Sequence, residues 1–177
     1  EKMSEPELRK KVREMSGDAK VFEDISWGHA LAFLFEELCE KKIVQPTFIL
    51  DHPLEISPLT KVKRGNPKLV ERFEPVVNGM EIGNAYSELT DPVEQYERLK
   101  EQRKYDEHNI QKEGIAHHPV DTDFVRAMGM GMPPTGGVGL GIDRLIMLIA
   151  NVPSIRDVIA FPLMKTVEET TQKSSNP

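Results

Sequence analysis

Glu74 and Glu81 flank an Asn78-Gly79 pair inside the stretch Val70 to Leu89, VERFEPVVNGMEIGNAYSEL. Asn-Gly between strand-like arms signals a two-residue hairpin, because a type I′ turn needs positive φ at both central positions. Such a turn pairs Val77 with Met80 and Val76 with Glu81, and an unbroken ladder then pairs Glu74 with Gly83. Glu74 and Glu81 share one sheet face as diagonal neighbours, with Cα atoms roughly 7–8 Å apart. Carboxylates this close repel unless a cation lies between them. A hard divalent cation held by one or two carboxylates, with substrate phosphates completing its shell, is the usual magnesium arrangement. The plainer reading of the strand by itself is a solvated acidic face.

A nucleotide for that cation comes from a second segment. Gly136-Gly137-Val138-Gly139-Leu140-Gly141-Ile142-Asp143-Arg144 runs from a glycine-rich strand into a helix. Repeated glycines weaken a strand, so they mark close approach by a ligand or by another backbone. Asp143 is a candidate N-cap, which puts Arg144 in the first helical turn. A cation there opposes the helix dipole and needs a partner: a phosphate, an aromatic ring or a carboxylate of the protein itself. The spacing is neither G-x-G-x-x-G opening a βαβ unit nor the G-x-x-x-x-G-K-[ST] of a P-loop.

The elements that must hold these residues read as α+β. Residues Glu1 to Lys20 are highly charged and contain one amphipathic helix before Gly17. A helix is expected over Ser26 to Ile43, with Leu31, Leu34, Phe35, Leu38 and Cys39 as its apolar stripe. Thr47 to Asp51 reads as a short buried strand, and Lys61 to Pro67 as a mobile basic loop. Asp91-Pro92 opens a long helix running towards Gly114, and Asp121 caps a shorter one towards Met128. Arg144 to Ala150 is apolar nearly all round and is expected to be buried, followed by a turn and a last core strand over Ile155 to Pro162. Thr166 to Pro177 is a polar tail. The expected division is a charged segment over 1–25, the main body over 26–165 and a tail over 166–177. The result is an antiparallel sheet with flanking helices.

Bulk properties narrow the classes. The length allows one domain with a sizeable core, and 38% hydrophobic with 29% charged residues fits a globular protein. A net charge of −6 argues against nucleic-acid binding through overall charge, but leaves a local basic groove open. Cys39 is the only cysteine, so no internal disulfide forms and a reducing, cytoplasmic compartment is expected. No apolar run reaches the ~20 residues of a spanning helix. His117-His118 lacks a ligand pattern around it and reads as a loop feature.

Together these stretches resemble the catalytic domain of the class II aminoacyl-tRNA synthetases, of the lysyl type. Gly137 to Leu148, GVGLGIDRLIML, is similar to motif 3 of that family, and marks the class. Arg72 to Leu89 and Gln45 to Lys61, QPTFILDHPLEISPLTK, resemble the lysyl branch, and the similarity runs from about Trp27 to Pro162. The resemblance implies that Glu74 and Glu81 hold Mg2+ and ATP, that Arg144 contacts ATP, and that Gly137, Gly139 and Gly141 let the backbone lie against the nucleotide. It implies an amino-acid pocket from Asn84, Tyr86 and Glu88. Parity agrees with that grouping, because all three point to one strand face. Glu88 has the charge to receive an ε-ammonium, and would reject neutral amino acids by being left unpaired. The ordinary roles for these residues are a turn for Asn84, core for Tyr86 and surface charge for Glu88.

In an unbroken strand Glu81 faces away from Asn84, Tyr86 and Glu88. One shared site therefore requires a bulge at or beside Gly83. His52, Glu55 and Ser57 are candidates for shaping the same cleft.

The reaction the resemblance implies is activation of lysine by ATP to lysyl-adenylate, then transfer to the 3′ end of tRNA(Lys), by a homodimer. No segment resembles motifs 1 and 2 or an anticodon-binding barrel, so these residues by themselves are expected to form adenylate poorly. The alternatives are a lysyl-synthetase-like paralogue with a protein acceptor and a non-catalytic binding module of the same fold. An aspartyl or asparaginyl enzyme is disfavoured, since an acidic substrate would meet Glu88.

Overall fold

Ser4 and Glu7 open helix α1 (Glu5–Ser16) in a computed structural model that describes residues 3–16, 25–110 and 119–163, with the backbone alone over 107–110. The Glu7 carboxylate takes the Ser4 N–H at 2.8 Å and the Ser4 hydroxyl at 2.6 Å, satisfying a donor that the helix leaves orphaned. His117-His118, the tail from Thr166 and the approach to Gly114 lie outside the described residues. The chain divides into two compact units, Glu1–Gly141 and Ile142–Pro177.

In the first unit, α1 packs on α2 (Trp27–Leu38), whose first turn is capped by Ser26 Oγ accepting from the His29 N–H at 3.3 Å. Leu8, Val12, Ile25, Ala30 and Leu34 form their shared core, with Trp27, Phe33 and Leu38 against it. The apolar stripe is thus rotated from the expected one: Leu31 and Cys39 are exposed. Close approach of α1 selects the face carrying small Ala30. Cys39 is the C-cap and so leaves the stripe, since α2 stops five residues before Ile43 and a 3-10 turn over Glu40–Lys42 follows.

The sheet contains β1 (Thr47–Leu50), β2 (Arg72–Val77), β3 (Met80–Glu81), β4 (Gly83–Ser87) and β5 (Gly136–Leu140). Its order is β1-β2-β4-β5, with β3 paired to β2, and all pairs are antiparallel. With the helices this is the expected α+β arrangement. β1 corrects one expectation, being an edge rather than a buried strand: Phe48 is 65% and Leu50 62% exposed. Four apolar residues in sequence do not distinguish a central strand from an edge. The basic loop is also more constrained than expected. Val62 bridges Val70, Lys63 pairs with Asp51, and Arg64 reaches Glu71 at 3.4 Å.

Asp91 Oδ1 accepts from the Val93 and Glu94 N–H groups at 2.8 and 3.2 Å and starts α3 (Pro92–Ile110) as expected. This helix is anchored by polar groups. Buried Gln95 donates to Pro58 O at 3.0 Å, and buried Arg98 donates to Thr60 O and pairs with Glu94. Asp121 Oδ1 caps α4 (Thr122–Gly129) by accepting from the Phe124 N–H at 2.8 Å.

The second unit holds α5 (Ile142–Ala150) and a 3-10 turn over Ile155–Asp157. The helix begins at Ile142, so Asp143 is a first-turn acid complementing the dipole rather than an N-cap. Two further expectations fail here. Only Met147 of α5 is buried, while Ile142, Leu145, Ile146 and Ile149 are exposed, and Ile155 to Pro162 contains no strand. An apolar helix advertises a surface to cover, and its own unit buries only Met147 of it. No helix among the described residues is long and apolar enough to cross a membrane.

Candidate active site

The Asn78-Gly79 turn forms with φ of 52° and 69°, the I′ signature. It pairs Val77 with Met80 and Val76 with Glu81. Beyond Glu81 the ladder slips by one residue, because β2 meets β4 as Arg72↔Tyr86 and Phe73↔Ala85. The expected bulge therefore lies at Ile82–Gly83, where the Ile82 N–H still donates to Pro75 O at 2.9 Å. Gly83 is what permits it. A Cβ there would fall 2.9 Å from Gly139 O and 3.1 Å from the Leu140 side chain.

The slip puts the acidic and polar groups on one face. Glu81 shares the face of Val76, and hence of Glu74 and Arg72. Tyr86 lies opposite Arg72, and Gly137 and Gly139 lie opposite Tyr86 and Asn84. Phe48, Leu50, Phe73, Val138 and Leu140 point to the other side.

Arg72 ties this face together. Its Nε donates to Asn84 Oδ1 at 3.1 Å, Nη1 to Ser57 Oγ at 2.9 Å and to Ile56 O at 3.2 Å, and Nη2 to Glu74 Oε1. Both side chains of the Arg72–Glu74 pair are largely buried, at 16% and 15% exposure. Of the three residues proposed to shape the cleft, Ser57 and His52 join this network. His52 Nε2 faces Glu74 Oε2 at 3.7 Å, and burial holds the His52 pKa below its usual value, with Glu74 opposing that shift. Glu55 does not join, as its Oε1 takes the Gly28 N–H at 3.4 Å beside α2. Arg72 was missed in the sequence, although its alternation with Glu74 places both on one face.

Glu88 continues the face. Its N–H donates to Thr135 O at 3.0 Å, and its carboxylate lies over Gly137, where a Cβ would come 2.1 Å from Oε1. Its pKa is raised by desolvation, and among the described residues it has no ion-pair partner. Tyr86 is likewise pushed up, first by burial and then by the Glu88 charge. The glycines thus differ in what they do. Gly137 makes room for Glu88, whereas a Cβ on Gly139 would meet only Asn84 O, at 3.8 Å. No protein contact demands a bare backbone at Gly139, which leaves a flat floor for a ligand. Gly141 closes the first unit, its N–H on Ile82 O at 2.9 Å. Arg144 is exposed in the first turn of α5 and belongs to the second unit.

The donor set suits magnesium. Arg72 occupies Glu74 Oε1, while Oε2 faces buried His52 Nε2 at 3.7 Å, a nitrogen that lacks a hydrogen-bond partner among the described residues. Glu74 Oε2 and the Glu81 carboxylate are hard oxygen donors on one face. No group of three or more His, Cys, Asp or Glu side chains is arranged to hold a metal ion by itself among the described residues, so phosphate and water would fill the remaining positions.

The Gly137 contact gives a direct test. In Gly137→Ala the new methyl must displace the Glu88 carboxylate, the movable end of a side chain. The expected result is a folded protein, melting near the unaltered one, in which the Glu88 carboxylate has left its place over Gly137 and its pKa falls back towards the ordinary glutamate value. A thermal melt beside an NMR titration of the Glu88 carboxyl checks this.

Residues 1–165 match the family model described as tRNA synthetases class II (D, K and N). Three similar proteins are lysine–tRNA ligases. That of Clostridium acetobutylicum is 53% identical over 82% of this chain and 28% of its own length. That of Thermosipho africanus is 54% identical over 79% of this chain and 27% of its own. That of Sinorhizobium medicae is 49% identical over 90% of this chain and 31% of its own. The chain thus spans under a third of the curated relatives it matches. With the family model covering every residue of the sheet, its bulge and the glycine strand, the chain belongs to the class II tRNA synthetases of the D, K and N group.

Proposed function

We propose that this chain supplies the lysine pocket and part of the ATP site of a lysine–tRNA ligase. The carrying observation is Glu88, a partly buried carboxylate lying on Gly137 without a cation beside it among the described residues. A substrate ammonium would relieve the desolvation that raises its pKa. Tyr86 flanks the aliphatic stem of lysine, and Asn84 serves the backbone end. Glu74 and Glu81 would hold Mg2+, which supplies charge neutralisation at the ATP phosphates when bound. Gly137, Gly139 and Gly141 form the backbone floor under the nucleotide.

The chemistry asks little covalent work of the protein. The lysine carboxylate attacks the α-phosphorus of ATP, the bond to the β,γ-diphosphate breaks, and pyrophosphate leaves. The tRNA 3′-terminal hydroxyl then takes the lysyl group and AMP leaves. Positioning and charge complementarity carry most of the rate. The whole protein is read as a cytoplasmic homodimer acting on tRNA(Lys).

The test is ATP–pyrophosphate exchange by the full-length protein with lysine or with norleucine, which lacks the ammonium. Exchange with lysine alone supports the reading, and equal exchange with both overturns it. Charging of tRNA(Lys) against a protein acceptor then separates the two ligase readings.

A further inference from the structure

We infer that Arg72 is a positioning residue that sets the polarity of the Asn84 amide, making this position a hydrogen-bond donor selective for the substrate carboxylate. The inference rests on the lysine-pocket reading above. Arginine carries donors only. The 3.1 Å contact from Arg72 Nε can therefore be made only to the Asn84 oxygen, which fixes the amide without appeal to which atom is labelled oxygen. The Asn84 Nδ2 group must then turn away from Arg72.

Arg72 cannot readily swing to release the amide. Its other nitrogens are held by Ser57 Oγ and Ile56 O on one stretch of chain and by Glu74 on another. The guanidinium is also largely buried. A planar fork satisfied at each nitrogen is pre-organised. Its charge is already balanced by Glu74, so Arg72 has little attraction left for an anionic substrate. The acceptor-seeking role passes to Asn84, across the ladder from Gly139, whose bare Cα leaves space in front of it. An amide N–H there donates more strongly to an ionised carboxylate than to the neutral carbonyl of an amide or ester end. The serial arrangement is guanidinium to amide oxygen, then amide nitrogen to substrate.

Asn84→Asp tests this directly. The carboxylate keeps one oxygen for Arg72, so the fold is retained, but turns a second oxygen to the pocket in place of the donor. In the full-length protein, binding of L-lysine and of L-lysinamide is measured by calorimetry, with melting temperature as control. The expected result is an unchanged melting temperature, a loss of at least a hundredfold for lysine and less than tenfold for lysinamide. Arg72→Lys frees the amide to rotate and is expected to narrow the preference for lysine over lysinamide at least fivefold. Should that variant fold poorly, Ser57→Ala, which removes one hold on the Arg72 guanidinium, replaces it, and a narrowed preference is again the expected result. Parallel losses for both ligands, or none, overturn the inference. If the unaltered protein binds lysine no better than norleucine, the lysine-pocket reading itself fails, a separate and recognisable result.

Discussion

Glu88→Gln is expected to remove lysine selectivity while leaving the protein as stable as before. Gln is isosteric and can rest over Gly137 as the carboxylate does. It cannot compensate an ammonium. Losing one member of a partly desolvated charge pair costs about 2–5 kcal/mol, roughly thirtyfold to a few thousandfold in kcat/KM for lysine. Stability moves the other way. Desolvation raises the Glu88 pKa in the folded state, so at neutral pH its ionised form opposes folding, and removing the charge should hold or raise the melting temperature. A structural glutamate would show the opposite, a lower melting temperature with lysine kinetics preserved. Kinetics beside a thermal melt separate the two.

The same shift fixes the sign of a pH effect. On the lysine-pocket reading, only ionised Glu88 pairs with the lysine ammonium, which stays protonated throughout the range of carboxylate titration. As pH falls through the raised Glu88 pKa, KM for lysine should climb, and do so at a higher pH than an ordinary glutamate would produce. Tyr86 is pushed upward and stays protonated throughout, whereas His52 is pushed downward, towards the range in which Glu88 titrates, so the comparison with Glu88→Gln is what assigns the limb. Glu88→Gln should lack it.

Much of this face was legible because it depends on short-range rules. Asn78-Gly79 dictates the turn, the turn dictates the register to Glu81, and the parity conflict between Glu81 and Tyr86 demands the slip that Gly83 accommodates. What escaped is long-range. Arg72 became the hub only once Ser57 and Ile56, from fifteen or so residues earlier, came against it. Edge or centre for β1, and cover or exposure for α5, likewise depend on what lies beyond each element, which apolar content does not encode. Gln95 and Arg98 carry no mark of burial, because polar anchors follow loop carbonyls rather than any period.

Glu81→Gln and Glu74→Gln are expected to part company, although both carboxylates are read as ligands of the same ion. Each loses one anionic oxygen donor, so each should raise the Mg2+ concentration for half-maximal lysine-dependent exchange. Exchange at saturating lysine should fall on the order of a hundredfold to a thousandfold. Glu74 also balances the Arg72 charge within the sheet. Glu74→Gln leaves that guanidinium with a neutral acceptor, so it should also lower stability, by about 1–3 kcal/mol. It should further disturb lysine binding through the Arg72–Asn84 contact. For Glu81→Gln the loss should fall on the Mg2+ and ATP dependence, with the lysine dissociation constant measured without ATP nearly unchanged. Titrating Mg2+ against exchange, beside lysine calorimetry on both variants, checks the division. If Glu81→Gln leaves the Mg2+ dependence unmoved, the two-carboxylate cation site is wrong, and Glu74 serves Arg72 alone.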